Sequence, residues 1–166
     1  HAGRKASSDL PWNDFKPLTE SDAARGLRPW RGISASAVPD PRPGSPAPIP
    51  MSVADIRQMI ETWHDAALRS IDAGFDICEI HGAHGYLIHQ FLSPLANRRN
   101  DGYGGDLQGR MRFALEITEA VRAIWPQDRP VFFRCSATDG PGLEWTIEDT
   151  VVLSRELMAR GVDVIT

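Results

Sequence analysis

The chain has 166 residues, 42% of them hydrophobic, enough for one domain with a sizeable core. A net charge of -4 with no run of Lys or Arg leaves no field to gather a phosphate backbone, so nucleic acid is excluded as an expected partner. The sequence holds no apolar run of about 18 residues and no charged-then-apolar leader, so no membrane contact is expected and the expected setting is cytoplasmic, with the reservation that the chain opens on His1 rather than Met.

Residues 1–50 carry nine of the thirteen prolines and no persistent helical or alternating period. A long irregular segment of this kind is expected to be a functional loop or a linker. Its Trp12, Phe15 and Trp30 argue against a solvated linker, since disordered stretches are poor in aromatics.

Regular structure is expected from residue 51 on, as a set of βα units. Ser52 and Asp55 have capping-box spacing, Ile56, Ile60, Trp63, Ala67 and Ile71 follow at helical spacing, and Gly74 suits a helix end. A strand is predicted over Phe75–His81. The next helix is predicted from near Asp106 to about Trp125, with Met111, Leu115, Thr118, Val121 and Ile124 on one side. A second strand is predicted at Val131–Ser136. Thr146 and Asp149 form another capping-box candidate, heading a helix with Val152, Leu153, Leu157 and Met158; Gly161 ends it, and Val162–Ile165 opens a third strand. Helices alternating with strands predict a parallel α/β sheet with crossover helices. Three strands do not close a barrel, so the chain reads as a piece truncated at both ends.

Chemistry concentrates after the first of these strands, in HGAHGYL at 81–87. In parallel α/β folds, active sites gather at the C-terminal strand ends. Strand alternation puts Ile77, Glu79 and His81 on one face and Cys78 and Ile80 on the other, which aims His81 inward. Gly82 and Gly85 permit a tight turn that could bring His84 and Tyr86 to the same space. Two imidazole donors can hold one carbonyl or nitro oxygen, and a phenol beside them can donate a proton. Each histidine could instead be an ordinary hydrogen-bonded residue, although clustering with Tyr86 argues for function. The His-x-x-His pair could also suit zinc, but no third ligand with recognisable spacing follows and no metal is expected. Arg134, within a strongly apolar strand, must be paired if buried; Glu79 is one partner, an electron-rich cofactor atom the other. Cys78 and Cys135 read as buried thiols of a reducing compartment.

Taken together, HAGRKAS at 1–7, PW at 11–12, HGAHGYLIHQFLSPLANRRNDGYGG at 81–105, RMRF at 110–113 and FRCSATDG at 133–140 resemble the flavin-dependent ene-reductases of the Old Yellow Enzyme family, in the bacterial branch with a His/His substrate-binding pair. The resemblance covers nearly the whole chain. It implies part of a (β/α)8 TIM barrel, about the family's fourth to sixth strands plus the long loop after its third, which would account for residues 8–50. By that resemblance His81 and His84 bind the oxygen of the activating group, Tyr86 is the proton donor, and Arg134 lies near the pyrimidine edge of FMN. The implied reaction has two halves. NADPH or NADH reduces FMN, whose N5 then gives hydride to the β-carbon of an activated alkene while Tyr86 protonates the α-carbon.

Departures from the family pattern include Asn100 in place of a usual Thr and Gly140 in place of a frequent aromatic, which would open the pocket wall. Two other readings remain beside this one: a catalytically silent partial barrel that needs the other strands or a partner chain, and part of a larger dienoyl-CoA reductase or trimethylamine dehydrogenase-like flavoprotein. The partner expected is a small activated alkene, and a homo-oligomer is compatible with the sequence.

Overall fold

The computed structural model describes residues 2–140 and 144–166. Within the first fifty residues lie two short 3-10 helices, Pro11–Asn13 and Glu20–Arg25, and both strands of a small parallel pair, β1 (Ile33–Ser34) with β2 (Ile49–Pro50). The remainder runs α1 (Val53–Asp72), β3 (Cys78–Gly82), α2 (Leu87–Leu92), α3 (Leu107–Ile124), β4 (Val131–Cys135), α4 (Ile147–Ala159) and β5 (Val164–Ile165).

Local chemistry explains where the helices start. Ser52 Oγ accepts from the Asp55 N–H while the Asp55 carboxylate accepts from the Ser52 N–H, closing both sides of a capping box on α1. Thr146 and Asp149 do the same for α4, and Asp106 Oδ1 accepts from the Gly109 N–H to start α3. The stripe buried by α3 is centred on Phe113, Ala114, Ile117 and Val121; of the residues expected on one side, Met111, Thr118 and Val121 are buried, while Leu115 and Ile124 lie at its edge, partly buried. In α4, Leu153 and Leu157 are fully buried, whereas Val152 and Met158 face out.

The main sheet has the order β3-β4-β5, all parallel, with α3 and α4 as the crossovers. Register places Ile80 opposite Phe133 and Phe133 opposite Ile165. Side chains that are register partners in a parallel pair share a face, and this face packs into one core with Ile56 of α1 and Ile117 and Val121 of α3. The other face carries Glu79, His81, Phe132, Arg134 and Val164 and is open. Among the described residues no helix is long and apolar enough to cross a membrane.

Three expectations change. The strand begins at Cys78 rather than Phe75, because register pairing starts at Cys78 with Val131 and leaves Phe75 and Ile77 exposed. The short helix α2 follows HGAHGYL where no helix was expected; six residues are too few for a periodicity to register. Trp12, Phe15 and Trp30 stand exposed rather than packed, while Leu18 and Ala35 are buried. Residues 33–51 are tied down by Arg99, whose guanidinium donates to the carbonyls of Ala35 (2.9 Å) and Met51 (2.5 Å) and pairs with Asp101 (2.5 Å).

Candidate active site

Strand β3 ends in a turn that needs its glycines. A Cβ on Gly82 would lie 2.4 Å from the Phe133 ring, so only glycine lets β3 pass so close to β4. Beyond it, His84 and Gly85 are both left-handed, with φ of 58° and 70°. For a histidine this conformation is strained by roughly 1–3 kcal/mol and persists only where the surroundings hold it. Here the His84 N–H donates to Ser136 Oγ at 2.9 Å, from the loop after β4.

The turn gathers the three candidate side chains. The His81 ring centroid lies 5.2 Å from that of His84 and 5.8 Å from that of Tyr86, so two imidazoles and a phenol share one space at the C-terminal end of a parallel strand. Burial, reinforced by neighbouring His84 and Arg134, pulls the His81 pKa below its ordinary value, favouring a neutral ring with one N–H to donate. Arg134 lies opposite His81 in the register, on the same face. The pairing that a buried Arg134 would need is not called for: Arg134 is exposed, because nothing among the described residues covers that face, and among them it makes no ion pair. Glu79 instead accepts from Thr166 Oγ1 at 3.0 Å.

Sequence reading missed Lys5, whose Nζ lies 4.5 Å from the centre of the Tyr86 ring. It also missed His89, Ser93 and Asp139, which pack behind the turn. The signal for His89 was a third histidine four residues after Gly85, one helical turn on; Lys5 and Asp139 gave none, being distant in sequence. Both cysteines are partly buried, and burial pushes their thiols up, away from reactivity. Among the described residues, no group of three or more His, Cys, Asp or Glu side chains gathers to hold a metal ion.

For a flavin, the relevant feature is the exposed guanidinium of Arg134 on the open face of the sheet, beside His81 in the register. A guanidinium suits a heterocycle that becomes electron-rich on reduction. The chemistry of Arg134 fits such a group.

Comparison with known proteins identifies the family. The model of the NADH:flavin oxidoreductase / NADH oxidase family matches residues 20–165. An NADH:flavin oxidoreductase of Gibberella zeae is 38% identical over 99% of the chain and 42% of its own length. An NADPH dehydrogenase of Geobacillus sp. (strain WCH70) is 47% identical over 80% of the chain and 38% of its own length. Among solved structures, morphinone reductase in complex with tetrahydroNAD superposes with a TM-score of 0.75 at 28% identity, covering 99% of the chain and 46% of that protein. A 2-naphthoyl-CoA reductase also reaches 0.75, at 28% identity over 82% of the chain and 21% of its own. The chain thus spans about two fifths of the length of the curated relatives it matches, and its α/β fold is part of a TIM barrel. It belongs to the NADH:flavin oxidoreductase / NADH oxidase family, that of Old Yellow Enzyme.

Proposed function

We propose that the chain carries the substrate-activating side of an FMN-dependent ene-reductase that uses NADPH or NADH to reduce α,β-unsaturated carbonyl or nitro compounds. The observation that carries this reading is the convergence of the His81, His84 and Tyr86 rings at the mouth of the sheet.

His81 and His84 donate N–H groups to the oxygen of the activating group and draw electron density from the conjugated double bond. A fixed donor of this kind contributes about 3 kcal/mol to the barrier in comparable oxyanion sites. Tyr86 donates the proton that completes the saturated product, an effect of about 100- to 10,000-fold in rate for a positioned acid. The Lys5 ammonium over the phenol ring stabilises the negative charge left on Tyr86. Bound FMN supplies the hydride, and Arg134 is the residue here that would contact it.

The test is Tyr86→Phe in the flavin-loaded full-length protein. Flavin reduction by nicotinamide should stay within about twofold, while the alkene half-reaction slows by about 100-fold or more; equal slowing of both halves contradicts the assignment.

A second reading, a silent partial barrel needing other strands, is favoured by the exposed Ile77 and Val164 beside the site. A visible spectrum of the 166-residue chain after FMN addition and desalting separates the two. A retained flavin band supports a working mouth, and its loss confines activity to a longer protein.

A further inference from the structure

Against the Gly85 backbone of the turn packs a buried polar chain that the reaction described above does not employ. His89 on α2 is 6% exposed. Its Nδ1 accepts from the Gly85 N–H at 2.8 Å. That nitrogen therefore presents its lone pair, and the ring proton belongs on Nε2. Nε2 lies 3.2 Å from Asp139 Oδ1, although its N–H is not aimed squarely at the oxygen. Asp139 has a side chain only 6% exposed, and its other oxygen accepts from Ser93 Oγ at 2.6 Å. Burial pushes the Asp139 carboxyl up, yet the adjacent His89 ring and the hydrogen bond from Ser93 outweigh it and hold the group below its usual value, as a carboxylate.

The other side of Gly85 is held as well. Its carbonyl accepts from Gln90 Nε2 at 2.6 Å, and Gln90 Oε1 accepts from the Arg4 N–H at 3.2 Å. Two consecutive left-handed residues, His84 and Gly85, thus have their N–H groups taken by two side chains, Ser136 and His89. Ser136 and Asp139 both belong to the loop after β4. An otherwise strained turn is clamped from a neighbouring strand's loop, and the residues on either side of Gly85 are His84 and Tyr86.

We propose that His89 and Asp139 form a positioning pair that holds the Gly85 backbone and so sets where His84 and Tyr86 meet the substrate. This rests on the reading of His84 and Tyr86 given under Proposed function. Neither His89 nor Asp139 touches the reacting atoms. They act through the turn, and a displacement of about 1 Å in such a site costs about 100-fold in rate.

The experiment compares His89→Leu, His89→Asn and Asp139→Asn. The asparagine amide oxygen at position 89 falls where Nδ1 was and can still accept from Gly85, whereas leucine accepts nothing. Amide hydrogen exchange at Gly85 should quicken by about tenfold or more in His89→Leu and stay near wild type in His89→Asn, a tenfold change reflecting about 1.4 kcal/mol of lost protection. In the flavin-loaded full-length protein, His89→Leu should slow the alkene half-reaction by about 10- to 100-fold, leave flavin reduction by nicotinamide within about twofold, and be rescued by His89→Asn. Asp139→Asn, which keeps the size of the group, should show the same selective slowing to a lesser degree. Unchanged Gly85 exchange in His89→Leu overturns the pair, as does equal slowing of both half-reactions with no rescue by asparagine. Failure of the wild type to reduce any activated alkene would instead sink the proposed function, with Gly85 exchange still deciding the positioning role.

Discussion

At the scale of single residues, the state of His81 follows from what surrounds it. Burial comes first, then the His84 ring and the Arg134 guanidinium, and all three disfavour the imidazolium. A folded pKa below the unfolded one means that the neutral ring's contribution is fully present above the unfolded value of about 6.5 and is lost as pH falls through the lower folded value. The His81 ring should accordingly titrate below about 6.5 by NMR, and Arg134→Gln should raise its midpoint, by less than the burial effect. A midpoint unmoved by that substitution would remove the guanidinium as a cause. The same residue shows what sequence could and could not reveal. Alternation along the strand correctly put Glu79 and His81 on one face and Arg134 beside them, because side-chain direction in a strand is local. Whether anything covers that face is not local, which is why the burial of Arg134 could not be read from the sequence, and it is exposed. Lys5 and Asp139 escaped notice for a related reason: each reaches the turn at 81–87 across a long sequence separation, and no spacing rule spans such a gap.

Among elements, legibility tracked how much of the signal sits within a few residues. The capping boxes of α1 and α4 and the start of α3 near Asp106 were readable because donor, acceptor and helix start lie within one turn. The strand start at Cys78 was not, since strand limits depend on where a partner begins to pair. The cap on α4 can be weighed directly. Thr146→Ala leaves the Asp149 N–H without its acceptor and breaks one half of the reciprocal pair. The expected cost is about 1 kcal/mol, read as a lower denaturant midpoint with an unchanged slope. A loss well under half of this would mean that water replaces the hydroxyl without penalty. Because α4 crosses between β4 and β5 while its buried Leu153 and Leu157 reach the common core, the cap also helps fix the sheet that presents Arg134.

For the whole molecule, the sheet is finished on one side only. Its helix-facing side buries Ile80 and Phe133 completely, while the opposite side leaves Val164 at 38% exposure and Ile77, just below β3, at 53%. Among the described residues, β3 and β5 are unpaired on their outer edges in the order β3-β4-β5. An open face that exposes Ile77 and Val164 between two free edges favours pairing with another chain. The isolated 166-residue chain should therefore self-associate, and sedimentation velocity should show species heavier than the monomer that grow with concentration. Ile77→Lys places a charge on the open side without touching the buried one, so it should shift the distribution toward monomer while leaving helix content unchanged by circular dichroism. A monomeric wild type at high concentration would show instead that His81, Arg134 and their neighbours tolerate open solvent. In that case the parallel sheet and its helix layer suffice to hold the turn at 81–87, and the convergence of His81, His84 and Tyr86 is a property of this stretch of chain alone.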